Sequence, residues 1–327
     1  MTTAAPPPLL AVRDLRVIFP TTRGDLPAVD GITYSLAARR TLGIVGESGS
    51  GKTVGALALL RLLPEQARMS GQILFEGRDL ATLGNDEMEA LRGDRIAMVF
   101  QEPMTALNPV MTIGEQIAEA WIIHRGLSQS EAEDAAIAMI DKVGIPDAAR
   151  RAASYPHQLS GGQRQRAMIA MALACGPALL VADEPTTALD VTVQAQILDL
   201  VMRMQAELGM AILFISHNLA VVSEVADDVA VMYAGRIVEM APSIEIFANP
   251  LHPYTRGLIE TVPRIGRGRA RLPAIPGTVP DPRHLPAGCR FSNRCPLADD
   301  TCRRADPPLI AMEPGRAVAC YKPGSRP

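Results

Sequence analysis

In residues 9–19 apolar positions are interleaved with charges, the signature of an antiparallel strand with one face on a core. Gly24, Pro27 and Gly31 then punctuate the chain as turns around further short strands do. An apolar stretch runs into a glycine-rich segment at 46–53, and a second apolar stretch starts at Thr53, predicting strand, loop and helix in succession. The longest apolar run, 54–63, is interrupted by Arg61 and predicts a core helix. From Met104 to about Ser154 the period becomes helical. Ser128 and Glu131 make a capping-box pattern, and Ala136, Ile137, Ile140 and Val143 share one helical face. The short apolar runs 178–182 and 211–215, each flanked by helical segments, predict central parallel strands. Beyond about Met240 Pro, Gly and Arg dominate and periodicity fades, which predicts an irregular appendage wrapped on the main domain. There is no internal repeat.

Composition narrows this picture. The 327 residues suffice for one large domain with an appendage or for two modest domains. Hydrophobic residues make up 48% of the chain and aromatics 4%, so Ala, Val, Leu and Ile carry the burial, as in a parallel sheet covered by helices. The net charge of -3, without a basic stripe, gives nucleic-acid binding no support. The opening MTTAAPPPLL lacks the basic and apolar regions of a secretory signal. No stretch reaches the roughly 18 uninterrupted apolar residues of a membrane span, so any membrane role is expected to come through partners.

The chemistry begins at Gly46-Glu-Ser48-Gly49-Ser50-Gly51-Lys52-Thr53, which fits G-x-x-x-x-G-K-[ST]. Its glycines let backbone N–H groups turn inward on phosphate oxygens, and the following helix start aims its positive end at the same anion. Lys52 adds a charge for the β- and γ-phosphates, and Thr53 a hydroxyl for Mg²⁺. The alternative, a chance glycine turn, fits poorly with a position between strand and helix. Asp183 ends the apolar run LLVAD, where an acid can hold Mg²⁺, and the adjacent Glu184 can polarise a water for attack on the γ-phosphate. Taken alone, the pair could equally start a helix. Leu159-Ser160-Gly161-Gly162-Gln163 opens a strongly helical stretch and makes a second anion-binding helix start, or an ordinary N-cap. One phosphate chain needs one such loop, so a second suggests a nucleotide contact in another subunit. His217, after ILFIS, can bond a γ-phosphate or the attacking water, and Gln101, after IAMVF, can contact Mg²⁺ or water. By default both residue types are structural or simply solvated.

Of five cysteines, Cys175 sits alone in an apolar run and reads as a small core residue. Cys289, Cys295, Cys302 and Cys320 crowd the tail with spacing C-x5-C-x6-C-x17-C. In a cytosolic protein such a cluster points to metal before disulfides. The spacing fits neither paired C-x2-C zinc units nor ferredoxin runs, so it indicates a metal without choosing between zinc and an iron–sulfur cluster.

Taken in order, these segments resemble the ATPase subunits of ABC transporters. The resemblance makes 46–53 the Walker A motif, Gln101 the Q-loop, 159–163 the signature, Asp183 and Glu184 Walker B, Ala188-Leu189-Asp190 the D-loop and His217 the switch. Phe19 stands where the family carries its adenine-stacking aromatic, although it could equally be core. FQEPMTALNPVMTIGEQIAE, NPLHPYTRGLIETVP and LPAIPGTVPDPRHLPAGCRF are similar to segments of oligopeptide and dipeptide importers. The resemblance implies an α/β fold: a three-layer P-loop NTPase core with an antiparallel β subdomain and an inserted helical signature subdomain at about 102–165. That cassette would span 1–240, and 241–327 would be the importer-type C-terminal extension. It implies catalysis by Glu184, His217 and Lys52. ATP would be bound by Phe19, Gly46, Ser48 to Thr53, Gln101, Ser160 to Gln163, Asp183 and Asp190, with Mg²⁺ on Thr53, Gln101 and Asp183. It further implies a [4Fe–4S] cluster on the four tail cysteines, with zinc as the alternative. The implied partners are a second ATPase subunit, two transmembrane permeases and, indirectly, a substrate-binding protein, at the cytoplasmic face of the inner membrane. Gln101 is the candidate coupling residue towards the permeases. The rival reading, a soluble ABC ATPase working on DNA or ribosomes, usually brings coiled-coil insertions or two cassettes. This chain has one cassette and no heptad array.

Overall fold

A computed structural model describes residues 7–187, 189–262 and 274–326. Its strands are β1 (Leu10–Thr21), β2 (Gly24–Leu36), β3 (Thr41–Val45), β4 (Arg68–Phe75), β5 (Arg78–Asp79), β6 (Ile96–Val99), β7 (Leu179–Asp183), β8 (Ala211–Ser216), β9 (Asp228–Tyr233), β10 (Arg236–Pro242), β11 (Ile310–Glu313) and β12 (Arg316–Val318). The chain divides into two compact units. One comprises 1–36, 41–81 and 214–327, the other 37–40 with 82–213, and the division falls within β8.

In the first unit the charged-apolar pattern at the N-terminus does form an antiparallel strand. β1 lies between β2 and β4 in a four-stranded sheet of order β2-β1-β4-β5. A separate run of strands places β3 parallel to β9, β9 antiparallel to β10, and β12 between β10 and β11. All five residues of β3 are buried, as expected of a strand covered on both faces. The helix after the glycine-rich segment is shorter than the apolar run suggests. It covers Lys52–Leu59, and Arg61 adopts φ 52°, a left-handed conformation that ends a right-handed helix.

The C-terminal region is more regular than its composition predicts. β12 pairs with β10 through Glu239–Val318 and Met240–Ala317, so the extension continues a sheet, and the expected boundary at 240 falls inside β10. Glu239, fully buried, accepts the N–H groups of Leu251 (2.7 Å) and His252 (2.8 Å) and so fixes the start of the helix Pro253–Thr261. Tyr233 of β9, Tyr254 of that helix and Phe291 form one aromatic cluster with ring centroids 4.6–5.4 Å apart.

In the second unit β6 runs parallel to β7, and every residue of β7 is buried. The helical stretch resolves into Pro103–Ala106, Ile113–Arg125, Gln129–Lys142 and Ala148–Ala152. Ser128 and Glu131 do form the capping box, and Ala136, Ile140 and Val143 are buried. Among the described residues no helix is long and apolar enough to cross a membrane.

Candidate functional site

In the first unit β3 delivers the chain into the glycine-rich loop, and the helix Lys52–Leu59 leaves it. Two glycines are dictated by geometry. A Cβ on Gly46 would lie 2.1 Å from the Met232 carbonyl oxygen, and one on Gly51, at φ 97°, would lie 2.3 Å from that of Ala28. Ser50 is buried and its carbonyl accepts the Gly235 N–H at 2.9 Å, whereas Ser48 and Gly49 are exposed. Lys52 is only 6% exposed. Its Nζ donates to the carbonyls of Gly46 (2.8 Å) and Glu47 (3.1 Å) and to Ser50 Oγ (3.4 Å), so the ammonium lies inside the curve of the loop. Thr53 is exposed in the first helical turn. Phe19 is half-buried on β1, opposite Leu26 of β2. His217 is exposed immediately after β8.

In the second unit Asp183 closes β7 with 2% exposure. Glu184 turns out of the strand at φ 47°, and its Oε2 accepts from Gln101 Nε2 (3.2 Å) and Thr187 Oγ1 (2.9 Å). Gln101 and Glu184, 83 residues apart, are thus brought together. Ser160 caps the helix Gly161–Leu173: its Oγ accepts the Gln163 N–H at 3.3 Å, and its own N–H donates to Gln163 Oε1 at 3.0 Å. Gly161 and Gly162 form the first turn. Asp190 caps the helix Val191–Leu208 by accepting the Val193 N–H at 2.9 Å. Ala188 lies outside the described residues. Gln163 thus completes the N-cap expected at 159–163, and Asp190 holds a helix start, a role its motif position did not announce.

Cys175 is buried and its Sγ bonds the Ala120 carbonyl at 3.5 Å, as a small core residue would. The four tail cysteines are free and half-buried. The Cys289 N–H donates to the Cys302 carbonyl at 2.8 Å, and burial together with neighbouring thiols raises the pKa of Cys289, Cys295 and Cys320. Burial pushes the Cys289 thiol up to about 12, with Asp306, Cys302 and Cys320 adding to the rise, while a hydrogen bond from the Phe291 N–H opposes it. Among the described residues no group of three or more His, Cys, Asp or Glu side chains is arranged to hold a metal ion. Three of the four sulfurs are engaged by their own turns. Cys289 receives the Phe291 N–H, Cys295 those of Leu297 and Ala298, and Cys320 that of Lys322 at 3.3 Å.

Sequence reasoning missed the residues that hold the loop from behind. Glu47 was a variable position of the motif. Its N–H donates to the Tyr254 hydroxyl at 2.9 Å, and its carboxylate receives Arg294 through two bonds of 2.8 and 3.0 Å. Arg294 lies 247 residues away, and no local pattern marks it.

Comparison with known proteins matches this arrangement. Residues 29–187 match the ABC transporter family, and 238–302 match the oligopeptide/dipeptide transporter C-terminal region. A Brucella melitensis protein described as a peptide import ATP-binding protein is 50% identical over 96% of this chain and 97% of its own. A Sinorhizobium fredii protein described as a peptide ABC transporter ATP-binding protein is 52% identical over 96% and 95%. Among solved structures, the ATP-binding cassette MJ0796, as a dimer in a post-hydrolysis state with ADP and Pi, superposes with a TM-score of 0.64 at 25% identity, covering 72% of this chain and 98% of that one. The cbiO1 protein of Clostridium perfringens, part of the ABC transporter complex cbiONQ, gives a TM-score of 0.62 at 26% identity over 74% and 91%. The chain belongs to the ABC transporter ATPase family, with the C-terminal region of its oligopeptide/dipeptide branch.

Proposed function

We propose that this chain is the ATP-hydrolysing subunit of an importer of dipeptides, oligopeptides or related small solutes. The observation that carries the reading is one chain joining a lysine-filled phosphate loop to a C-terminal region of the peptide-importer type. The Gly46, Ser48, Gly49, Ser50 and Gly51 backbone and Lys52 bind the phosphates. Thr53, Asp183 and Gln101 offer hard oxygen donors suited to Mg²⁺, which when bound neutralises charge on the β- and γ-phosphates. Glu184 orients and deprotonates the attacking water, His217 bonds the γ-phosphate, and Phe19 stacks on adenine. Ser160 and its helix start meet the nucleotide of a second ATPase subunit, so that ATP closes the pair and hydrolysis reopens it.

The segment around Gln101 exposes Phe100 (37%), Met104 (51%) and Val110 (79%), an apolar face suited to the two transmembrane permeases. That would hold the chain at the cytoplasmic face of the inner membrane, with a substrate-binding protein supplying the solute. Purification of the tagged chain from detergent-solubilised membranes should recover integral-membrane subunits and a solute-stimulated ATPase. Recovery of ribosomes or DNA instead would sink the reading.

For the tail we propose that Cys289, Cys295, Cys302 and Cys320 converge on a structural [4Fe–4S] cluster, zinc being the alternative. Four soft donors in a Pro-rich segment support it. Anaerobic purification should yield brown protein with stoichiometric iron and sulfide. Colourless, metal-free protein from iron-supplied cells would defeat it.

A further inference from the structure

We propose that Arg294, in the C-terminal extension, is a positioning residue for the phosphate loop, acting through the Glu47 carboxylate and thereby setting affinity for ATP. The inference rests on reading 46–53 as that loop.

The guanidinium is held from several sides. Its side chain is 6% exposed. Nε donates to the Pro276 carbonyl at 2.9 Å, and the terminal nitrogens reach the Ile275 carbonyl and the Tyr233 hydroxyl, each at 3.4 Å. Its carbon lies 5.8 Å from the centroids of both the Tyr233 and Phe291 rings. The two parallel bonds to Glu47 use the fork geometry that arginine alone offers a carboxylate. Tyr254, also in the extension, grips the same residue by its backbone N–H.

Glu47 is well placed to transmit this grip. Its carbonyl accepts both the Lys52 ammonium at 3.1 Å and the Ser50 N–H at 3.2 Å. A Glu47 that wanders therefore releases two contacts that shape the phosphate cradle. Without the clamp, ATP must order the loop as it binds, and that entropy is subtracted from affinity. Glu184, the carboxylate assigned to water activation, makes no contact in this clamp, so the loss should appear mainly in binding and largely spare the hydrolytic step.

The test uses the full chain assembled with its membrane partners. KM and kcat for ATP and equilibrium binding of a fluorescent ATP analogue are measured for Arg294→Lys, Glu47→Gln and the double variant. Each single change should raise KM and Kd about three- to tenfold, with kcat within about twofold. The double variant should be no worse than the singles, because both remove one contact. Lysine should fail to rescue because it lacks the fork. Unchanged ATP affinity in both singles, or effects that multiply in the double, would overturn the proposal. So would a lowered Tm with affinity intact, the mark of a purely structural arginine. If Arg294→Lys does not fold, Glu47→Gln reads the same contact while preserving the bonds from Arg294 to Ile275 and Pro276. Lys52→Ala is the control: retained ATP binding there would refute the phosphate loop itself, a result distinct from failure of the clamp.

Discussion

Glu184 occupies a backbone conformation that side chains avoid, φ 47°, at a cost of about 1–2 kcal/mol. Its carboxylate is oriented by the Gln101 amide and the Thr187 hydroxyl. An amide of the same shape would keep the hydrogen-bonding frame and lose the basicity. We therefore expect Glu184→Gln to bind ATP normally and to slow hydrolysis by about 10²–10⁴-fold. ATP should then accumulate a dimer visible by light scattering. Turnover within a few-fold of wild type would remove Glu184 from water activation. At this scale the motif residues could be singled out as candidates because phosphate chemistry restricts residue type at short, fixed spacings. Glu47 was not, since what singles it out is a partner 247 residues away. Nor were the thiols fully legible: their spacing announces soft donors, while Cys289, Cys295 and Cys320 each also accept N–H groups of their own turns.

Helix starts were the most readable elements, because a capping box is a local exchange in which a hydroxyl and a Glu or Gln side chain three residues on each accept one N–H group. Ser128–Glu131 and Ser160–Gln163 both form capping boxes. The helix at 54–63 was misjudged at its end, since hydropathy does not reveal that Arg61 turns left-handed. The β11–β12 hairpin escaped notice because its strands are four and three residues long and β11 is exposed throughout. Two predictions belong here. Ser160→Ala should cost the cap about 1 kcal/mol and leave ATP binding by the isolated chain intact. Ser160→Arg should do the same to the cap yet abolish hydrolysis in the assembled transporter. Wild-type turnover in that assembly would count against a shared site. The second prediction concerns His252, whose neutral Nδ1 accepts the Tyr254 N–H at 3.0 Å. Burial lowers its pKa from the ordinary 6.5 to about 3. Phe291 packs on the ring, and Glu239 receives the residue's own N–H. The unfolded chain takes up this proton near pH 6.5 while the folded one resists, so the stability is complete above that pH and is lost as pH falls towards 3. Denaturant midpoints taken from pH 7 to 5 should decline, with up to about 1.4 kcal/mol per pH unit due to this group. His252→Asn, a neutral cap, should flatten the curve. An identical slope in that variant would dismiss the histidine as its source.

For the molecule as a whole, the extension belongs to the same compact unit as the phosphate loop. Composition had suggested an irregular appendage wrapped on the main domain, because Pro, Gly and Arg mark irregular chain locally. Strand addition at β10, the Tyr233–Tyr254–Phe291 cluster and the Arg290–Asp30 ion pair are all long-range and leave no local periodicity. The two helix starts proposed to bind phosphate pose a similar question about the assembly, since one belongs to each unit and a nucleotide's phosphates need only one P-loop. If each ATP is held by the Lys52 loop of one subunit and the Ser160 helix of another, the two defects can complement. Lys52→Ala disables every loop in its own dimer, and Ser160→Arg disables every signature in its own. Mixed dimers contain one site built from an intact loop and an intact signature, and one site with both defects. Each variant alone should therefore be nearly inactive, while an equal mixture refolded or co-expressed together should regain ATPase activity. Random pairing makes half the dimers mixed, each with one working site of two. Recovery should then approach about a quarter of wild type where the sites act independently, and less where they are coupled. Native mass spectrometry would verify the mixed species. Mixed dimers present in quantity yet without turnover would rule out a site shared between two copies of this chain.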